Sequence, residues 1–158
     1  MMRVGIGYDI HRLKRGRRFL LGRTEIPFSK GEDGHSDGDV LAHAVGDALL
    51  GASALGDIGE LFPPSNPDLS GADSMKLLRS IFSLVKSEGW KIVNLDCVII
   101  CENPKVLPYR GEIRNSLSAL LEIPPECVFL KGKTAEKLGF IGKGKAVEAY
   151  VVCLLEKN

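Results

Sequence analysis

The chain has 158 residues, 44% of them hydrophobic and 26% charged, which suits one domain with a full-sized core. Its 21 Lys and Arg against 20 Asp and Glu leave a net charge of +1, so no global field exists to hold nucleic acid or an anionic membrane. No run of about 18 apolar residues occurs, so no membrane span is expected, and a small anionic ligand would need a local site. The segment Met1-Met2-Arg3-Val4-Gly5-Ile6-Gly7 lacks an apolar signal core and reads at once as a strand, so a cytoplasmic protein is expected. Cys97, Cys101, Cys127 and Cys153 lie in apolar stretches with no C-x-x-C pair, which suits buried reduced thiols.

In chain order, residues 3–10 read as a first strand and residues 12–18 as a solvated basic loop. Residues 19–22 and 24–27 suggest a short hairpin. Residues 29–38 form a loop rich in Gly, Asp and Ser. A helix opens at Asp39 and runs to about Leu55, with Leu41, Ala44, Val45, Ala48, Leu49 and Ala52 at helical spacing and Gly56 as its stop. A loop with Pro63, Pro64 and Pro67 follows. A second helix covers residues 73–88, and residues 91–101 form a strand rich in Val and Ile. Residues 108–122 read as a third helix, 127–131 as a strand, 134–138 as a helical turn and 145–156 as the last strand. This order predicts an α+β fold, a ferredoxin-like mixed β-sheet with helices on one face. The first and last strands are apolar on both faces, so oligomerisation is expected to cover the second one.

The three histidines, His11, His35 and His43, all lie within the polar N-terminal third. Asp9-x-His11 ends the first strand, and period two puts both side chains on one face. Asp39, His43 and Asp47 line one stripe of the first helix. If the strand packs beside that helix, Asp9, His11 and His43 converge as one carboxylate and two imidazoles, a good zinc set with an open fourth position. Asp39 could orient His43 or only cap the helix.

His35-Ser36-Asp37-Gly38-Asp39 leads into a helix N-terminus, where free N–H groups and the Ser36 hydroxyl favour an anion, and His35 could stabilise phosphoryl charge. Asp57, in Gly56-Asp57-Ile58-Gly59, could accept from substrate hydroxyls or sit in a helix C-cap and turn. Thr134 and Glu136 follow a strand in Lys131-Gly132-Lys133-Thr134-Ala135-Glu136, where Thr134 could cap a helix or hold phosphate and Glu136 could meet a second metal. Neither a P-loop nor a dinucleotide fingerprint is present.

These segments resemble the 2-C-methyl-D-erythritol 2,4-cyclodiphosphate synthase family of the non-mevalonate (MEP) isoprenoid pathway. The resemblance is carried by Gly7-Tyr8-Asp9-Ile10-His11, by His35-Ser36-Asp37-Gly38-Asp39-Val40-Leu41-Ala42-His43-Ala44, and by Asp47-Ala48-Leu49-Leu50-Gly51-Ala52. It continues through Leu55-Gly56-Asp57-Ile58-Gly59, Leu61-Phe62-Pro63, Gly71-Ala72-Asp73-Ser74, Pro104-Lys105-Val106-Leu107-Pro108 and Glu136-Lys137-Leu138-Gly139-Phe140, almost the whole chain in one register.

The resemblance implies a bacterial cytoplasmic lyase. It converts 4-diphosphocytidyl-2-C-methyl-D-erythritol 2-phosphate to the cyclic diphosphate and CMP by intramolecular phosphoryl transfer. It implies zinc on Asp9, His11 and His43, Mg²⁺ or Mn²⁺ between the diphosphate and Glu136, and His35 and Thr134 as transition-state stabilisers. Asp57, Ile58 and Gly59 would hold the methylerythritol part, and Phe62, Pro63, Pro64, Ser65 and Asn66 the loop beside it. The run Cys101, Glu102, Asn103, Pro104, Lys105, Val106 and Leu107 would hold cytidine, with Ser36, Lys133, Ala135, Phe140 and Lys143 completing the contacts. It further implies a homotrimer with sites between subunits, and a central cavity near Tyr8 and Glu148 that accepts prenyl diphosphates. Lys133, Lys143, Pro64 and Asn66 depart from the usual family residues. Competing readings are a zinc phosphohydrolase, in which water attacks, and a non-enzymatic trimeric prenyl-diphosphate-binding module.

Overall fold

The computed structural model describes residues 1–63 and 65–158. Strand β1 spans Met2–Arg15 and runs past the expected loop, because Leu13 is buried between Arg12 and Lys14 and the extension pairs with β4, Lys30–Asp33. Strands β2 (Phe19–Leu21) and β3 (Thr24–Ile26) form the expected hairpin. Helix α1 spans Val40–Ser53, capped by Asp39, and ends at Ala54 with a left-handed φ of 59°, before Gly56 is reached. A short helix α2, Ile58–Leu61, lies in the expected loop, because Asp57 and Glu60 form a reciprocal capping box. Then come α3 (Ser74–Ser87), β5 (Lys91–Ile100), α4 (Arg110–Leu121), β6 (Val128–Lys133), α5 (Gly139–Gly142) and β7 (Ala146–Glu156). The expected helical turn at 134–138 is not formed: Glu136 and Lys137 take left-handed φ values of 52° and 62°, and the helix starts at Gly139.

The main sheet has the order β4-β1-β7-β5-β6. β7 is antiparallel to both β1 and β5, so β1 and β5 are parallel with β7 inserted between them, a split βαβ unit. The second crossover is not split. β5 and β6 are immediate parallel neighbours joined through α4, so only half of the ferredoxin-like layout is realised. The mixed α+β architecture stands. No helix among the described residues is long and apolar enough to cross a membrane.

The odd residues of β1 face α1, and two of them are glycines. A Cβ on Gly7 would lie 1.8 Å from the Ala44 carbonyl oxygen, and one on Gly5 2.0 Å from that of Ala48. Only glycine lets the helix lie this close, and the small Ala44 and Ala48 complete the fit. Helix α1 is consequently buried nearly all round, with Leu41, Val45, Leu49 and Leu50 fully enclosed, each side chain contributing about 1.5–3 kcal/mol of burial. The opposite sheet face is apolar and open: Val4, Ile6, Tyr8, Ile10, Phe129, Tyr150 and Val152 are exposed. Cys97, Cys101 and Cys153 are buried free thiols, pushed up by that burial to about 12, 12 and 11.

Candidate metal centre and its cavities

Two residues beyond Gly7 on the same strand face, Asp9 meets the helix that the glycines admitted. Its Oδ2 lies 2.9 Å from His11 Nε2 and 3.0 Å from His43 Nδ1, and the two imidazole rings sit 5.2 Å apart. The three ligand atoms all lie within 4.8 Å of one another, and all three side chains are largely buried. Gly34 leaves room for the His11 ring, since a Cβ there would come within 2.8 Å of it. His11 Nδ1 is buried without a partner among the described residues. One carboxylate oxygen and two imidazole nitrogens aimed at one point fit a divalent cation with an open coordination position.

Burial pushes the Asp9 carboxyl up, yet its hydrogen bonds to His11 and His43 win and hold it at about 2. Burial pushes His43 down, but the facing Asp9 carboxylate outweighs this and the net direction is up. The site is therefore an anion facing two imidazoles, and it wants either a proton or a metal between them.

The stripe Asp39, His43 and Asp47 exists, with Asp39 buried and His43 and Asp47 partly buried. Asp39 is fully enclosed and accepts from the backbone N–H groups of Gly22 (3.0 Å), Arg23 (2.7 Å) and Ala42 (3.0 Å). It is a helix cap and a tie to the hairpin turn, and its carboxylate does not orient the His43 ring. Burial raises it despite these bonds. The His43 ring is instead held by two hydroxyls, Ser74 Oγ at 2.9 Å and Ser36 Oγ at 3.2 Å from Nε2. The Ser36 hydroxyl thus points inward to this network rather than lying free for an anion. Ser74 carried no local signal in the sequence beyond its place after a capping Asp73.

A cavity of about 260 Å³ opens over the centre, lined by His11, His35, Ser36, His43, Ile58, Gly59, Phe62, Leu69 and Leu77. His35 is exposed at its rim. Asp57 Oδ1 accepts from Glu60 N–H at 2.9 Å as an N-cap, so the C-cap reading of this turn is replaced. Pro63, Ser65 and Asn66 are exposed, and Asn66 caps the 3₁₀ turn Pro67–Leu69. Pro64 lies outside the described residues.

The expected cytidine segment forms a second cavity of about 210 Å³, lined by Cys101, Glu102, Pro104, Lys105, Val106, Leu107, Gly132, Lys133 and Thr134. Glu102 accepts from Ala135 N–H at 3.3 Å, tying the two walls together, and the Thr134 hydroxyl donates to Glu136 at 3.2 Å within the second of them. Asn103 lies in the same run. No lining residue is shared between the two cavities, and among the described residues Glu136 is not gathered with the triad. Phe140 is exposed and lines a third hollow beside Ile10 and Arg12, and Lys143 is exposed after α5. The segment read as solvated holds, besides the buried Leu13, a second exception. Arg17 donates to the carbonyls of Glu32 (3.1 Å), Gly34 (3.3 Å) and Ser36 (3.3 Å), clamping the loop that carries His35.

An α+β sandwich whose first strand and first helix share an Asp–His–His cluster fit for a divalent cation defines the class of protein: a candidate metal-centred domain. The family model described as the YgbB family matches residues 2–156, and the chain belongs to that family. It is 54% identical over 154 residues to the 2-C-methyl-D-erythritol 2,4-cyclodiphosphate synthase of Treponema denticola, covering 98% of this chain and 96% of the relative. It is also similar to the CDP complex of IspF from Plasmodium falciparum, with 36% identity, a TM-score of 0.88 and coverage of 99% and 97%. The bifunctional IspDF of Campylobacter jejuni matches with 34% identity and a TM-score of 0.96. All of this chain aligns, but it spans only 43% of that protein.

Proposed function

We propose that this chain converts 4-diphosphocytidyl-2-C-methyl-D-erythritol 2-phosphate to 2-C-methyl-D-erythritol 2,4-cyclodiphosphate and CMP in the cytoplasm. The observation that carries the reading is the Asp9–His11–His43 cluster, opening on a cavity walled by His35, Ile58 and Gly59, in a chain alike over nearly its full length to a synthase of that name. A zinc ion held by these three residues would neutralise charge on the β-phosphate as a Lewis acid. The substrate's 2-phosphate oxygen bonds to the β-phosphorus, the bond from that phosphorus to the bridging oxygen breaks, and CMP leaves with the electron pair. Little covalent work falls to the protein, and positioning supplies most of the rate.

His35, at the rim, is suited to steady phosphate oxygens, and Thr134 is the corresponding donor beside the second cavity. Ile58 and Gly59 border the methylerythritol part, with the free oxygen of Asp57 for its hydroxyls. Phe62, Pro63, Ser65 and Asn66 form the neighbouring loop. The Cys101–Leu107 wall takes cytidine, largely through backbone groups. Glu136 would hold Mg²⁺ or Mn²⁺ bound with the diphosphate, supplying charge neutralisation there, and Lys133, Phe140 and Lys143 border the substrate.

This division calls for a site shared between copies, in an assembly we take to be a homotrimer. Thr134 follows β6, three strands from β1 in the sheet order, a lateral separation of about 14 Å at the usual strand spacing. A hydrogen bond to the diphosphate needs about 3 Å. Thr134 and the triad therefore serve one diphosphate only if the threonine comes from a neighbouring copy. The open apolar sheet face is the surface three copies would bury, and Tyr8, which donates to Glu148 at 3.2 Å, lies on it where a prenyl diphosphate would be received.

Phosphorus NMR of the product, with and without zinc chelation, tests the reaction. The cyclic diphosphate and CMP are expected, and a linear monophosphate would refute the synthase in favour of a hydrolase. Mixing inactive His43→Ala and Thr134→Ala chains tests the shared site. Random reassembly should restore about one quarter of the wild-type rate, because one site in four then pairs an intact triad with an intact threonine. No recovery after confirmed subunit exchange would place each site within one chain.

A further inference from the structure

We infer that Ser74 and Asp37 are positioning residues that fix which nitrogen of His43 faces the metal; this rests on the metal-centre reading above. The Ser74 side chain is almost wholly enclosed at the N-terminus of α3. Its hydroxyl donates to Asp37 Oδ1, and its backbone N–H donates to Asp37 Oδ2 at 3.2 Å. It also lies 2.9 Å from His43 Nε2 and 3.1 Å from Ser36 Oγ.

A proton inventory assigns every bond in this cluster. The Ser74 hydroxyl is the donor to Asp37 Oδ1, which uses its single proton. The Ser74 oxygen is then left with acceptor capacity alone. His43 Nε2 must be the donor to it, so Nε2 carries the ring proton. Nδ1, on the other side of the ring and 3.0 Å from Asp9 Oδ2, is not needed as a donor to the serines, so the proton it shares with Asp9 is the one a metal would displace to take its lone pair. The Ser36 hydroxyl donates to the second lone pair of Ser74, and its own oxygen accepts from Gly38 N–H at 3.2 Å. No donor in the cluster is left over. In the other tautomer Nε2 could accept only from Ser36, at 3.2 Å, and the closer Ser74–His43 contact at 2.9 Å and the Ser74–Ser36 contact at 3.1 Å would both be left without a proton.

Asp37 is itself held, since its N–H donates to the Ala72 carbonyl at 3.0 Å and its Oδ1 accepts from Asp39 N–H at 3.2 Å. The chain Asp37–Ser74–His43 therefore presents a pre-set imidazole, as outer partners of metal-bound histidines generally do.

The test uses the full-length protein, zinc competed against a chromophoric chelator, and long-range ¹H–¹⁵N NMR of the histidine rings. Ser74→Ala and Asp37→Asn should each weaken zinc binding by about tenfold or more and remove the protected His43 Nε2–H signal of the zinc-loaded protein. His43→Ala is the third arm. If it loses zinc while both other variants keep wild-type affinity and the Nε2–H signal, the positioning role is overturned and the metal centre stands. If His43→Ala keeps zinc, the metal-centre reading fails and the positioning role falls with it. Should Ser74→Ala fold poorly, Asp37→Asn decides alone, because the substitution is isosteric and removes one acceptor from the serine.

Discussion

Glu32 offers the sharpest test of the physical reasoning, because it is buried, ionisable and outside the chemistry. Its side chain is fully enclosed, Oε2 accepts from Leu20 N–H at 2.8 Å, and Oε1 has no partner among the described residues. Burial first, and then the nearby Asp39, push its carboxyl from 4.5 up to about 9. Between these values the folded chain binds a proton that the unfolded chain has released. The stability this group contributes is thus complete below pH 4.5 and is lost progressively as pH rises toward 9. The loss runs at about 1.4 kcal/mol per pH unit, or about 3 kcal/mol by pH 7. Glu32→Gln keeps an acceptor for Leu20 and cannot ionise. It should be more stable than wild type at pH 7, with the difference growing by about 4 kcal/mol between pH 5 and pH 8. Urea unfolding of both proteins at one fixed protein concentration, across that range, measures it. A wild-type-to-variant difference that does not change with pH would refute the neutral buried carboxyl.

Gly7→Ala drives a Cβ to within 1.8 Å of the Ala44 carbonyl, so α1 must move off β1; a loss of about 3 kcal/mol or more in urea unfolding is expected, with zinc affinity lost in parallel. Asp39→Ala strips the acceptor from three backbone N–H groups in a buried place, and destabilisation of at least about 3 kcal/mol should appear in the same assay. Tyr8, held up at about 12 by partial desolvation against the sheet face and by the Glu148 carboxylate to which it donates, should stay neutral in a spectrophotometric titration to pH 10, whereas Glu148→Gln should bring its transition down.

The helices were legible because their apolar spacing is local, and Asp9-x-His11 because strand periodicity puts both on one face. The convergence with His43 was readable only as a condition, since the Gly5 and Gly7 contacts that fulfil it depend on which helix lies on which strand. The β4 pairing was not legible: Lys30–Asp33 has no strand pattern of its own, and the edge exists because β1 continues past His11 to meet it. The α2 start, by contrast, was signalled by Asp57-x-x-Glu60, a capping-box spacing that a Gly/Asp turn reading passes over. Arg17 and Ser74 had no signal, since a basic run ordinarily lies in solvent and a serine at a helix start ordinarily caps. Their roles come from segments distant in the chain. The ferredoxin-like expectation was half met because element order alone does not say whether the last strand lands inside or outside the second crossover.

The stripe on α1 explains why the cavity over the metal centre has fixed walls. Asp39 ties the β2–β3 turn to the helix start. One turn on, His43 faces Asp9 of β1 through one nitrogen and Ser74 of α3 through the other. A turn further, Asp47 accepts from Ile58 N–H at 2.9 Å and so sets the start of α2. The strand and two helices that line or floor the cavity are thus each bonded to one buried helix, itself seated on glycines and tied at its start to the β2–β3 turn. A site built on side chains locked this way holds its geometry without the ligand. It follows that substitutions at Asp39 or Asp47, which touch neither metal nor substrate, should lower metal affinity through displaced walls, to a smaller degree than Ser74, which grips the ligand itself.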